Sequence, residues 1–404
     1  MTKAHDESST PVWEVVPIGD FALPSDTQLN LAKKRWHSLR SLFQLPQGSV
    51  ETHAKAEEDL RALPTVRLEQ LVPPIDWSEP ATALDRFLAP RQETAGRETG
   101  LYVLIGQPHI DHGAMLREWA GPRAAAVHEA PDPAVILSEK RDASRHWKAS
   151  DGPWVIPELE RWFLRHAHGL WLVRDLLEQA ARGQWGAGII GCDSWAWAYL
   201  QRVWPIPNPT VLALQAFDGR SLARYLTASR LAGPRPSVRF CNARTGEPLT
   251  SGADDGETSR ELRQLAAHCR GNPAIAREYW RRRLRTEPET AHARVSDAPD
   301  PSPDPSADED VVWLASGIET PVLPVETSED LIFILHTLLL HNGLPATTLA
   351  DLLPPPRTQL MSNLLRLQAM GLVESQDDVW RVSALGYPGV REFLRSHGYL
   401  VDAF

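Results

Sequence analysis

The residues best suited to chemistry crowd into one stretch, Gly106 to Gly113, which reads Gly-Gln-Pro-His-Ile-Asp-His-Gly. Two chemistries fit those types. His109, Asp111 and His112 lie within four positions and carry the nitrogen and oxygen donors that ligate metals. Alternatively, Gly106 ends an apolar run and the residues after it open a helix. That layout cradles phosphate, because the free N–H groups of a helix N-terminus and its dipole face the anion. A complete cradle, G-x-x-x-x-G-K-[S/T], places Gly, Lys and a hydroxyl at 111, 112 and 113. This chain has Asp111, His112 and Gly113 there. The layout is present and its cation and metal-binding hydroxyl are not.

Two further positions belong with this stretch. Asp193 follows the small apolar run Gly188–Cys192. It could face a Mg²⁺ ion through water, or simply cap the helix that Ser194 begins. Arg277, Arg281, Arg282, Arg283 and Arg285 form the one dense basic patch. It suits phosphate or an acidic partner, and equally a solvated helix end, where positive charge complements the dipole.

The elements that must position these groups can be read from periodicity. Leu101–Ile105, Ile189–Cys192 and Val211–Leu214 are apolar runs, each followed by a helical pattern. Such alternation predicts an α/β fold with a parallel sheet, whose ligands sit beyond the carboxyl ends of the strands. Gly106–Gly113 and Asp193 would both lie there. Val12–Val16 reads as extended, Leu29–Phe43 as a mixed polar helix, and Ser78 as the start of a helix with Pro80 in its first turn. Val135–Leu137 reads as another strand and Ile156–Ala167 as a helix through Leu159, Trp162, Phe163 and His166. Gly169–Arg182 reads as the next helix, and Asp218 as the cap of one carrying Leu222, Tyr225 and Leu226. Residues 231–258 read as a loop. Thr258 and Glu261 fit a capping box, and Pro273 opens a further helix after Gly271–Asn272. The Pro-, Asp- and Glu-rich residues 286–310 cannot bury a core and read as a flexible acidic linker. Beyond Ser328 come three helices (Leu331–Leu340, Pro345–Leu352, Thr358–Met370) and two strands around Gln376–Asp377. Three helices and a hairpin predict a winged helix. The expected organisation is an extension over 1–64, a core over 65–230, a loop and helical lid over 231–285, a linker over 286–327 and a winged-helix domain over 328–404.

Composition limits the partners. The 404 residues carry a net charge of −10 with 42 % hydrophobic and 23 % charged residues, as in a globular protein. The acidic balance argues against general nucleic acid binding. The winged-helix segment sharpens this: from Glu326 onward five arginines face nine carboxylates, a net −4, and Asp377 and Asp378 occupy the wing tip. Protein partners fit that surface better than DNA, and a homo-oligomer is left open. The aromatic tail from Gly386 to Phe404 could pack on the module or dock a partner. Three separated cysteines without metal-ligand spacing suit a reducing, cytoplasmic setting. The longest apolar run, Leu331–Leu340, is short of the roughly 20 residues that span a bilayer, so no membrane insertion is expected.

At this point the order of parts resembles the AAA-like and STAND-type P-loop ATPases. The matching pieces are GQPHIDHG, the strand end IIGCDS, LALQAFD before a helix, the GNP break and the winged helix, across residues 65–404 in layout. The resemblance implies ATP or ADP with Mg²⁺ as ligand. Gly106, Gln107, Pro108, Asp111, His112 and Gly113 would surround the phosphates and Asp193 would face the metal. Arg277 would act as a lid sensor, and Leu71 to Asp76, including Ile75, would cradle the base. The departures imply a pseudo-ATPase that regulates or scaffolds: His112 is not a permanent cation, Gly113 lacks a hydroxyl, and Ser194 stands where an active member often has a water-orienting Glu. A DNA-associated factor using the winged helix is the alternative within that family. A second resemblance covers only QPHIDHG, which is similar to the H-x-H-x-D-H motif of the metallo-β-lactamase fold. It implies a metal-dependent hydrolase using His109, Asp111 and His112, with Gln107 in place of the first histidine.

Overall fold

The apolar run that ends at Gly106 becomes an interior strand of a six-stranded sheet. The structure is a computed structural model and describes residues 11–24, 55–94, 100–138, 152–182, 186–207, 209–228, 238–249, 258–288, 310–324 and 328–404. Two compact units divide the chain: Met1–Ala22, Asp76–Gln215 and Thr320–Phe404 form one, and Leu23–Ile75 with Ala216–Glu319 form the other. The linear segments expected above therefore do not map onto compact bodies one by one.

The first unit begins with strand β1 (Val15–Pro17) and helix α1 (Ser78–Thr94). Strand β2 (Leu101–Gly106), helix α2 (His112–Ala120) and the short β3 (Ala126–Val127) follow. Helix α3 (Pro133–Leu137), strand β4 (Trp154–Ile156) and helix α4 (Trp171–Ala181) come next. Strand β5 (Gly188–Asp193), helix α5 (Ser194–Val203) and strand β6 (Thr210–Leu214) complete the sheet. Its spatial order is β1-β6-β2-β5-β4-β3. All pairs are parallel except β1 with β6. The chain leaves β2 toward β3, β4 and β5 on one side and reaches β6 on the other. The direction of travel thus reverses at β2, and a crevice opens at the carboxyl end of the strand at such a switch point.

Local chemistry explains the central strands. β5 is buried at every residue, as a strand covered on both faces must be, and its sequence is accordingly small and apolar until Asp193. Gly188 leaves room for the Trp154 ring of β4, which a Cβ there would overlap. Asp111 and Asp193 each cap the helix that follows them, accepting from Ala114 N and Trp195 N.

Residues 320–404 belong to the same unit. They hold α6 (Glu329–Leu340), β7 (Leu344–Pro345), α7 (Ala346–Leu352), α8 (Arg357–Ala369), β8 (Val373–Gln376), β9 (Val379–Val382) and α9 (Tyr387–Ser396). The three strands form an antiparallel sheet in the order β7-β9-β8. α6 buries Leu331, Ile334, Leu335 and Leu338 and packs on α5 and β9.

The second unit has its own four-stranded sheet, in the order Arg61–Ala62, Leu284–Thr286, Asp310–Leu314, Val238–Asn242. Its helices are Thr65–Leu71, Gly219–Ala228, Arg260–His268 and Pro273–Arg283. Asn272 caps the last of them by accepting from Ala274 N and Ile275 N.

Several expectations change. Val135–Leu137 is helical, because Asp132 caps it and Pro133 stands at its first position. Ile156 ends a strand, and Leu159–Arg161 is one 3-10 turn. Leu159, Trp162 and Phe163 are fully buried, but in an irregular segment. Residues 231–258 contain a strand, Val238–Asn242, that pairs in parallel with Asp310–Leu314. Ser259, not Thr258, caps the next helix, and Glu261 instead accepts from Asn242 Nδ2. The Leu29–Phe43 helix and most of the 286–310 linker lie outside the described residues.

Candidate functional site

The crevice at the carboxyl end of β2 is filled by an internal ion pair. Gly106 of β2 lies in register with Asp193 of β5, so the loop 107–111 and Asp193 are neighbours across adjacent strands. His112, the first residue of α2, turns its ring back over the loop. Its Nδ1 is 3.2 Å from Ile110 O, and its Nε2 is 3.1 Å from Glu160 Oε1. Both ring nitrogens face acceptors, so both carry protons. Burial alone would push the imidazole pKa down; the Glu160 carboxylate, with Glu158 behind it, lifts it to about 9. Burial in turn pushes Glu160 up, and the charged His112 more than reverses that. Glu160 Oε2 also accepts from Asp193 N at 3.0 Å. Asp193 is held well above the carboxylate range by burial and by the neighbouring Glu160 charge, so it keeps its proton. One cation, one anion and one neutral acid make a balanced, fully buried trio.

The loop spends its donors on itself. Ile110 N donates to Gln107 O at 3.0 Å, His112 N to Ile110 O at 2.9 Å, and Ala114 N to Asp111 Oδ1 at 2.7 Å. Gly106 is required by the ring rather than by an anion: a Cβ there would overlap the His112 imidazole. Gly191 of β5 makes the same allowance, since its Cβ would meet Pro157 O and His112 Cδ2. His109 adopts φ 68°, a left-handed conformation unusual for a residue with a Cβ.

Residues 320–404 cover this loop. The His109 ring lies 6.4 Å from that of Tyr387 and beside Arg381, Val382 and Ser383. Ser194, the first residue of α5, donates to Asp402 Oδ2 at 2.6 Å. Asp402 also accepts from Tyr387 OH at 3.3 Å and from Arg391 Nε at 2.8 Å, while Trp195 Nε1 donates to Tyr387 OH at 3.2 Å. The aromatic tail therefore packs on its own chain, ending with Phe404 edge-on to Phe21.

No protein-family model and no curated protein matches the sequence. Among solved structures, the Walker-type ATPase PABY2304 of Pyrococcus abyssi is similar at 11 % identity, over 77 % of this chain and 95 % of that one, with a TM-score of 0.30. A likeness that loose carries no argument about chemistry. What stands without it is a mixed α/β fold with a largely parallel sheet.

Of the residues expected at a nucleotide, Gly106, Gln107, Pro108, Asp111, His112, Gly113 and Asp193 come together at the strand ends. Ile75 and Arg277 belong to the second unit. There Arg277 Nε donates to Pro73 O at 2.7 Å and Nη2 to Val72 O at 3.1 Å, and Nη1 pairs with Glu278. Arg281 and Arg283 likewise donate to Val72 O and Ala315 O. Much of the basic patch thus ties backbone carbonyls together. His109, Asp111 and His112 point three ways: into residues 381–387, back onto Ala114 N, and onto Glu160. Among the described residues no group of three His, Cys, Asp or Glu side chains is placed to hold a metal. All three cysteines are buried and none is in a disulfide. No helix among the described residues is long and apolar enough to cross a membrane.

Sequence reasoning missed Glu160, Glu158 and Arg117. Arg117 bridges Glu129 at 2.8 Å and Glu158 at 2.7 Å beside Gly113. The available signal was the apolar triplet Trp154–Ile156, which precedes Glu158 and Glu160 much as Gly188–Cys192 precedes Asp193.

Proposed function

We propose that this protein is a P-loop ATPase-like scaffold that has replaced the nucleotide's phosphates with an ion pair of its own, and that it acts through protein contacts without ATP turnover. One observation carries the reading: the His112 ring occupies the cradle in which a phosphate would lie, and its charge is already paired with Glu160. In a working loop a lysine at this position meets the β- and γ-phosphates, and the backbone N–H groups face them. Here Ile110 N, His112 N and Ala114 N are bonded within the loop. Asp193 retains its proton and caps α5, which suits a helix start and not Mg²⁺. The residues present do not fit a Mg²⁺-nucleotide.

The succession α6, β7, α7, α8, β8, β9 reads as a winged helix. Its hairpin tip is Asp377–Asp378, both in left-handed turn conformations. The exposed side of α8 offers Thr358, Ser362 and Leu365 beside Arg366. An acidic tip and a mostly uncharged helix face suit a protein partner better than a phosphate backbone.

Calorimetric titration with ATP and with ADP in Mg²⁺, together with a phosphate-release assay, tests the reading. No heat of binding at millimolar nucleotide and no phosphate above the buffer blank are expected. A micromolar Kd, or turnover removed by Asp193→Ala, would overturn it.

A further inference from the structure

The contact between residues 320–404 and the sheet contains two histidines whose bonds require them to be uncharged. His336 lies on α6 and His341 follows its C-terminus; both meet one residue of the loop after β4, Arg165. The Arg165 guanidinium Nη1 is 3.1 Å from His336 Nδ1, and Arg165 N donates to His341 Nε2 at 3.3 Å. A guanidinium and a backbone N–H can only donate. His336 Nδ1 and His341 Nε2 must therefore be the acceptors. Each ring's remaining nitrogen carries the proton: His341 Nδ1–H points at Glu160 O at 3.3 Å, and His336 meets the Leu400 backbone. A second proton on either ring would set two donors against each other and break the bond to Arg165.

We propose that the 320–404 module is an acid-released cover: protonation of His336 and His341 detaches it from Arg165 and uncovers the 106–113 loop. The groups facing the two rings come from every element around them. His336 faces Arg165, Trp195 of α5, Tyr399 and His341. His341 faces Phe163, Arg165, His336 and Glu160. Arg165 and the paired histidine oppose a new positive charge. Among the described residues Glu160 is the carboxylate that acts on them, and His112 already neutralises it. His109 moves in the same direction. Its ring is packed beside Arg381 and Tyr387 of the module, with no carboxylate among the groups acting on it.

Burial, reinforced by Arg165, holds both imidazoles at about 4, against 6.5 when exposed. A lowered folded pKa means that the contact is intact above 6.5 and weakens as the pH falls from there toward 4. At pH 5.5 docking loses about tenfold per histidine, and about a hundredfold for the two together.

Hydrogen–deuterium exchange of the full chain, corrected for the intrinsic pH dependence of exchange, tests this at pH 7.5, 6.5, 5.5 and 4.5. Peptides covering 106–113, 161–169 and 399–404 should lose protection below pH 6.5, while those of β2 and β5 keep theirs. His336→Asn and His341→Gln each supply a carbonyl acceptor for Arg165 that does not titrate. The double variant should stay protected down to pH 4.5, and either single variant should fall between it and the parent. Circular dichroism at pH 7.5 verifies that each variant folds, and the His336→Asn single variant suffices if the double does not. Loss of protection at the same pH in parent and variants, or only together with the central strands, would overturn the proposal. Neither result bears on nucleotide binding.

Discussion

Replacing Glu160 with Gln removes the carboxylate that keeps His112 charged, and the effect should be visible as a change in how stability depends on pH. In the parent protein His112 titrates at about 9 when folded and near 6.5 when unfolded. A raised folded pKa contributes stability that is complete below 6.5 and is lost as pH rises through 9. A shift of that size corresponds to about 3 kcal/mol, since each pKa unit is worth roughly 1.4 kcal/mol. Independent reasoning gives a similar figure: breaking a buried ion pair by removing one partner typically costs about 3–5 kcal/mol. Urea unfolding followed by tryptophan fluorescence, at pH 6.5 and pH 9.5, measures it. His112 alone should cost the parent about 3 kcal/mol between the two, the proton held by the neighbouring Asp193 adds to the loss in the same direction, and Glu160→Gln should lose correspondingly less. Groups that titrate independently of this pair cancel in the double difference. A Glu160→Gln slope equal to the parent's would refute the assignment of His112 as the buried cation, and with it the argument that the cradle is filled by charge.

Two substitutions extend the same reasoning. Gly106→Ala forces the His112 ring out of the loop, and overpacking of that kind should cost about 1–3 kcal/mol, read as a lower thermal midpoint. Asp402→Asn removes the charge that Arg391 pairs with in the interior. It should cost about 3 kcal/mol and raise hydrogen exchange across α9 and the start of α5, leaving the sheet of the second unit unchanged.

The parallel sheet was legible because its strands announce themselves chemically. Leu101–Ile105 and Gly188–Cys192 are short, wholly apolar and followed by helical spacing, and both occupy central positions. Asp193 at the end of a strand was equally visible, and so was the choice between metal ligand and helix cap. What periodicity could not convey was which strands are neighbours. β5 lies between β2 and β4, and that order puts Glu160, 48 residues after His112 in sequence, within reach of its ring. Glu160 was also hidden by its setting. Leu159, Trp162 and Phe163 mimic a helical face, so the segment reads as a regular helix and nothing in its spacing singles out its carboxylates. The strand Val238–Asn242 was missed for a different reason. Only Val238, Phe240 and Cys241 are apolar beside a run of turn-forming residues, and its identity depends on a parallel partner about 70 residues away. The tail was read correctly as aromatic, but its anchoring through Asp402 needed Ser194 and Arg391 to be seen side by side.

The chain passes between its two units four times, at residues 22–23, 75–76, 215–216 and 319–320. That path constrains how the protein can be made. Val15 pairs with Leu214, so its strand has no partner until some 200 residues later in the chain. Asp402, which fastens the segment over the central loop, follows its partner Ser194 by 208 residues. A nascent chain that has not reached these partners therefore exposes one bare strand edge and one open crevice together, and each closes only when its distant partner has been made.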